Sequence, residues 1–128
     1  QGLPLIKPPY ARVTAIDMGT GDHKWMTING DGPRQKVIDM GLPDPGPLGA
    51  SWSGGPVLTK SLVFVTQADG QRNVLRAFDK SDGQIVAEID LPARPWGTPM
   101  TYSQNGKQYV VVASGQAQDA RLVALALP

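Results

Sequence analysis

Polar and apolar residues alternate along Arg12-Val13-Thr14-Ala15-Ile16, the pattern of a strand with one buried face. Asp17-Met18-Gly19-Thr20-Gly21-Asp22 follows, rich in the residues that adopt left-handed backbone or bond their own main chain, and reads as a turn. His23-Lys24-Trp25-Met26-Thr27-Ile28 then returns as the partner strand of a hairpin. Residues 29–56 break this rhythm. Gly30, Gly32, Pro33, Gly41, Pro43, Pro45, Gly46, Pro47, Gly49, Gly54, Gly55 and Pro56 crowd the segment, and a loop of such length is more often functional than idle. Four further strands are predicted at residues 56–59, 62–67, 74–79 and 84–91, joined by turns at 60–61, 69–72 and 80–83. A last unit has strands at 98–102, 107–113 and 121–127, with a hairpin turn at Asn105-Gly106 and a polar loop over 114–120. No ten-residue window free of Gly and Pro carries apolar residues at helical spacing, so no helix is expected.

A short phrase recurs through these strands. Ala15-Ile16-Asp17 is followed by Gly21 and Trp25; Ala77-Phe78-Asp79 is followed by Gly83 and Ala87; Ala124-Leu125-Ala126 begins the phrase again. A strand, a tight Gly turn and a second strand repeated at such intervals describe the blade of a β-propeller. The expected fold is therefore all-β, a partial propeller with between two and three four-stranded antiparallel blades. Residues 1–29 read as a lead-in and the end of one blade, 30–55 as a Gly/Pro-rich insertion, 56–91 as a complete blade and 98–128 as an incomplete last blade. Repeat units need neighbours to bury both faces, so the chain is expected to be part of a larger ring or to self-associate through open blade edges.

Composition narrows the function classes. The 128 residues include 15 Gly and 12 Pro, suited to a chain full of turns. Net charge is +1 without a basic run, which argues against a nucleic-acid partner. There is no Cys, so disulfides and thiolate metal sites are excluded. No apolar run approaches the roughly 18 residues that cross a bilayer. The chain opens at Gln1 on a Pro-rich stretch, as a mature exported protein or a fragment would.

Few side chains offer chemistry. His23 is the single histidine; no carboxylates are spaced to join it at a metal, and a solvent-exposed strand position is expected. Asp17 and Asp79 occupy the same turn of successive repeats and are expected to accept backbone N–H bonds rather than to act as a catalytic pair. Trp25 is placed to pack its ring between blades. Trp52 and Trp96 lie in Gly/Pro-rich segments beside a blade's first strand, where each can stack on a flat ligand at the channel mouth or cap the blade end. Gly54-Gly55-Pro56 lacks the Lys and helix of a phosphate loop. Close approach of backbone to a ligand or to another blade explains the Gly pair equally well. No Gly-x-Ser-x-Gly nucleophile elbow exists.

Taken together, these residues resemble the C-terminal part of the quinoprotein dehydrogenases that use pyrroloquinoline quinone (PQQ). The matching stretches are Gly2-Leu3-Pro4-Leu5-Ile6-Lys7-Pro8-Pro9-Tyr10, Thr14-Ala15-Ile16-Asp17 with Gly21 and Trp25, Gly54-Gly55-Pro56-Val57-Leu58-Thr59-Lys60 and Leu75-Arg76-Ala77-Phe78-Asp79. Thr98-Pro99-Met100-Thr101-Tyr102 with Asn105-Gly106-Lys107-Gln108-Tyr109-Val110-Val111-Val112-Ala113 is the most specific. The membrane glucose dehydrogenase-like branch looks closest. The resemblance implies an eight-bladed propeller holding PQQ and Ca²⁺, and periplasmic oxidation of a sugar or alcohol, glucose-type first. Electrons would pass to quinone or a cytochrome, and a missing N-terminal part would supply any membrane anchor. The family's Asp base and calcium ligands belong to earlier blades. The resemblance therefore implies no catalytic or metal-binding residue here, and a piece that is inactive and holds no cofactor tightly by itself. It points to Trp52, Ser53, Gly54, Gly55 and Gly115 as cofactor-binding candidates. Ser53 stands where some alcohol-oxidising members carry Trp, with Trp52 one place earlier, and Ser114-Gly115-Gln116 lacks the family's second Gly. The alternative is a non-enzymatic propeller-repeat scaffold or interaction module.

Overall fold

The computed structural model describes residues 2–50, 54–69 and 72–126. Among these described residues nine strands form three antiparallel sheets. β1 (Arg12–Ile16) and β2 (His23–Ile28) make a two-stranded sheet. β3 (Val57–Leu58), β4 (Leu62–Ala68), β5 (Asn73–Asp79) and β6 (Ile85–Asp90) make a four-stranded meander. β7 (Pro95–Gln104), β8 (Lys107–Ser114) and β9 (Arg121–Ala126) make a three-stranded sheet. The fold is all-β and partial-propeller, as the repeats imply.

The recurring phrase builds the same object twice. Both copies carry a register shift, between Ala15 and Ile16 and between Ala77 and Phe78. In both, the glycine has positive φ, +81° at Gly21 and +76° at Gly83. Its N–H returns to the Asp carbonyl, at 2.7 Å for Gly21 to Asp17 and 2.9 Å for Gly83 to Asp79. The Asp side chain then caps the turn: Asp17 Oδ1 accepts the Gly19 N–H at 2.8 Å, and Asp79 Oδ1 accepts the Ser81 N–H at 2.8 Å. These bonds hold both carboxyls below the ordinary carboxylate range. For Asp17 the Lys24 ammonium is the largest cause, and for Asp79 the Ser81 hydroxyl is. Both carboxylates are turn caps, as expected.

The middle sheet is buried on both faces. Val63, Val65 and Phe78 pack with Val13 of the first sheet. On the other face Leu75 and Phe64 meet Leu91, Val110, Val112, Val123 and Leu125, which ties the third sheet on. This is why no residue of β4 or β5 is exposed, whereas the outermost β6 is exposed throughout. Trp25 joins the first two sheets: its Nε1–H donates to the Lys80 carbonyl at 2.9 Å, and Thr27 Oγ1 donates to the Gly83 carbonyl at 2.7 Å.

The structure corrects three expectations. A helix, α1 (Arg34–Asp39), interrupts the Gly/Pro-rich insertion. Pro33 starts it, and Gly41, at φ +76°, ends it by donating to Ile38 O at 2.9 Å. At six residues it is too short for a periodicity argument to detect. Arg34 clamps it to the chain beyond, its Nε and Nη2 reaching the two Asp44 oxygens at 2.8 and 2.6 Å. Second, the loop over 114–120 contains a 3₁₀ turn at Ala117–Asp119. Third, β7 begins at Pro95 rather than at Thr98, with an irregular register between Trp96 and Met100. Among the described residues no helix is long and apolar enough to cross a membrane.

Candidate functional site

Strand direction alternates within each sheet, so the connections divide between two ends. Turns 17–22, 59–61, 80–83 and 105–106 lie at one end; Lys80 N donates to Ser61 O there at 2.8 Å. The long β2–β3 segment and the β4–β5, β6–β7 and β8–β9 connections gather at the other. That second end carries Gly54, Gly55, Arg94, Trp96 and Gly115. His23 and the two turn aspartates belong to the first end, away from it, and His23 is exposed. Trp52 and Ser53 lie outside the described residues.

Gly55 and Gly115 each have a structural reason to lack a side chain. A Cβ on Gly55 would lie 2.5 Å from Thr98 Oγ1, and the Gly55 N–H donates to that same oxygen at 3.1 Å. Gly55 therefore marks the close approach of one blade to the next. Gly115 has φ +82°, and a Cβ there would lie 2.3 Å from the Asp119 carbonyl oxygen. Its N–H donates to Arg94 O at 2.9 Å, while Ser114 Oγ donates to Ala93 O at 2.6 Å. The β8 end thus staples the β6–β7 connection.

That connection carries Arg94, which the sequence does not single out, beside Trp96, which it does. Arg94 places its guanidinium carbon 5.1 Å from the centroid of the Trp96 ring. Trp96 is not in a loop, as expected, but in β7 opposite Ala113, and remains 37% exposed. It walls a cleft of about 540 Å³ with Gly115, Gln116 and Arg121, and no carboxylate belongs to its lining. Arg94 lines a second cleft of about 390 Å³ with Tyr10, Ala50 and Asp69. The Asp69 carboxylate accepts the buried Gln67 amide at 2.9 Å and the Arg72 N–H at 2.9 Å. Among the described residues no three His, Cys, Asp or Glu side chains gather to hold a metal ion. A calcium site does not fit these residues.

The family described as "PQQ: Glucose/ethanol/alcohol dehydrogenase, beta-propeller domain" matches residues 1–110. The chain belongs to this PQQ-dependent dehydrogenase family. Among its relatives is the quinate/shikimate dehydrogenase (quinone) of Acinetobacter baylyi, 42% identical over 126 residues, covering 93% of this chain and 15% of the relative. The quinoprotein glucose dehydrogenase of Escherichia coli is 36% identical over 114 residues, covering 89% of the chain and 14% of the relative. The glycerol dehydrogenase large subunit of Gluconobacter oxydans is 36% identical over 122 residues, covering 89% and 15%. The chain spans about 15% of the length of these curated relatives. In this PQQ family the described strands are one stretch of a propeller.

Proposed function

We propose that this chain is the C-terminal propeller stretch of a PQQ-dependent dehydrogenase that oxidises an alcohol group of a sugar or other polyol. Electrons pass to quinone or a cytochrome, and the reaction belongs to the periplasm. The supporting observation is the family match along residues 1–110. Glucose-type substrates were the first expectation; relatives named for quinate, shikimate and glycerol widen it to polyhydroxylated alcohols in general.

Bound PQQ supplies the two-electron acceptor for the alcohol carbon. The role of this chain is to wall the cavity, not to move protons. Trp52, Ser53, Gly54, Gly55 and Gly115 are the residues proposed to reach the cofactor. The catalytic base and the calcium ligands come from other blades, so residues 1–128 alone turn over no substrate. The proposed division is a lead-in and blade end at 1–29, an insertion at 30–55, a complete blade at 56–91 and an open last blade at 98–128. The rest of the ring closes the open last blade.

Titration of the cofactor-free full-length protein with PQQ tests the assignment. Trp52→Ala should weaken PQQ binding by about tenfold, the loss of one stacking contact of roughly 1.4 kcal/mol. Affinity unchanged in Trp52→Ala and in Gly115→Ala would remove this stretch from the cofactor wall. A full-length protein that binds no PQQ would instead favour the scaffold reading.

A further inference from the structure

We propose that Asn105 is a site of spontaneous covalent modification, where the side-chain amide leaves as ammonia and the residue becomes aspartate or isoaspartate. The fold protects Asn29, which has the same local chemistry. The chain holds two Asn-Gly pairs, Asn29-Gly30 and Asn105-Gly106. In such a pair the glycine backbone nitrogen attacks the Asn Cγ. The Cγ–NH₂ bond breaks, the glycine N–H proton leaves with it as ammonia, and a cyclic succinimide remains. Water, the only co-reactant, then opens the ring. Opening at the side-chain carbonyl gives aspartate. Opening at the main-chain carbonyl gives isoaspartate, with the chain running through Cβ. Glycine permits the attack because no side chain shields its nitrogen or restricts the backbone rotation that closes the ring.

The structure separates the two pairs. Asn29 is only 5% exposed. Its Oδ1 accepts Arg76 Nη1–H at 3.1 Å, and Glu88 holds the same guanidinium through Nε. The Asn29 main chain is bonded at both ends: its N–H donates to Ala11 O at 3.1 Å, and its carbonyl accepts the Ala50 N–H at 2.8 Å. Gly30 is equally fixed. Its carbonyl accepts the Gly49 N–H at 2.8 Å, and a Cβ on it would lie 2.8 Å from both Ala50 Cβ and Gln67 Nε2. Ring closure at Asn29 must break the Arg76 contact and rotate backbone that has no room, so it waits for unfolding.

Asn105 sits at the tip of the β7–β8 hairpin, exposed together with Gly106. Nothing lies within 4 Å of where a Gly106 Cβ would stand. The closing pairs Gln104 with Lys107 and Ser103 with Gln108 are exposed as well, so the tip opens by fraying of a few residues. The two products then differ in consequence. Asp-Gly suits the same turn as Asn-Gly, so aspartate leaves the hairpin intact. Isoaspartate adds a backbone atom to a two-residue loop and disturbs the pairing up to Tyr102 and Tyr109, whose rings stack with centroids 5.0 Å apart.

The test incubates the full-length protein in mildly alkaline buffer made with heavy-oxygen water and maps its peptides by mass spectrometry. An isoaspartyl methyltransferase reads the rearranged product. A parallel sample in denaturant exposes both pairs alike. In the folded protein Asn105 should take up the label about tenfold or more faster than Asn29, because only its opening is local. In denaturant the two rates should converge. Asn29 converting as fast as Asn105 in the folded protein overturns the inference. So does an Asn105 that stays an amide in the folded protein while the denatured chain is converted.

Discussion

The indole of Trp25 lies against Gly83 of the following repeat so closely that a Cβ on Gly83 would sit 2.4 Å from ring carbon Cε3. The same indole donates Nε1–H to Lys80 O at 2.9 Å, so the turn of one blade is the seat for the Trp of the blade before it. Gly21 holds the same place in the earlier repeat, with φ +81° and nothing within 4 Å of its absent Cβ. The two glycines therefore separate conformational strain from steric clash. Gly21→Ala should cost roughly 1–2 kcal/mol, the ordinary penalty of left-handed backbone. Gly83→Ala should cost about 3–5 kcal/mol, because crowding of the ring adds to that strain. Denaturant melts of the full-length protein measure both, and equal losses would contradict the blade contact.

Asp44 makes the insertion sensitive to acid. The Arg34 guanidinium, with help from the Gly46 N–H, lowers its pKa from the ordinary 3.8 to about 2. A carboxyl whose folded pKa is depressed stabilises the fold above its unfolded pKa, and that contribution is lost as pH falls through the folded value. The Arg34 clamp on α1 should be intact above about pH 4, fade between 4 and 2, and be gone below. NMR titration of the Asp44 carboxyl should show a midpoint near 2, and Asp44→Asn should abolish that titration and loosen α1 at neutral pH. A midpoint near 3.8 would show that the clamp does not form in solution.

Gly55 and Thr98 should behave as one unit. Gly55→Ala puts a methyl 2.5 Å from Thr98 Oγ1 and disturbs the 3.1 Å bond from the Gly55 N–H. Thr98→Ala removes the acceptor and about 1 kcal/mol with it. The double variant should be less destabilised than the sum of the singles, by roughly 1 kcal/mol or more in a double-mutant cycle. Strict additivity would mean that the two blades do not meet there.

The Asn105-Gly106 turn has positive φ at both residues, +51° and +75°, the pair that a two-residue hairpin of the twisted kind demands. Asn105→Ala should cost about 1 kcal/mol, and Asn105→Gly should cost less, in the same melts. A larger loss for Gly than for Ala would contradict this turn geometry.

These turns explain why most of the fold is legible in the sequence. Asp17, Gly21, Asp79, Gly83, Asn105 and Gly106 each act through backbone conformation within a few residues, and local chemistry is what a sequence displays. The six-residue α1 is not legible, because Pro33, Gly41 and the Arg34–Asp44 clamp define it rather than any periodic stripe. The start of β7 is hidden by Pro95, Gly97 and Pro99, which look like loop, yet Pro95 pairs with Ser114 of β8 before the register shifts between Trp96 and Met100. At the candidate site the sequence marks Gly55 and Gly115 as special. It does not show that Thr98 and the Asp119 carbonyl lie against them, since those contacts depend on how sheets and loops meet. Arg94 has no signal in the sequence: its place is fixed by bonds that the distant end of β8 makes to its carbonyl and to that of Ala93.

The central claim is that this stretch belongs to the cavity of a PQQ enzyme. Its most direct test is acceptor-dye reduction by the full-length protein, stripped of cofactor and then given PQQ and Ca²⁺ with a panel of polyols. The account predicts saturable dye reduction that appears only when PQQ and an oxidisable polyol are both present. A folded full-length protein that reduces no acceptor with any polyol, with or without PQQ, would contradict it.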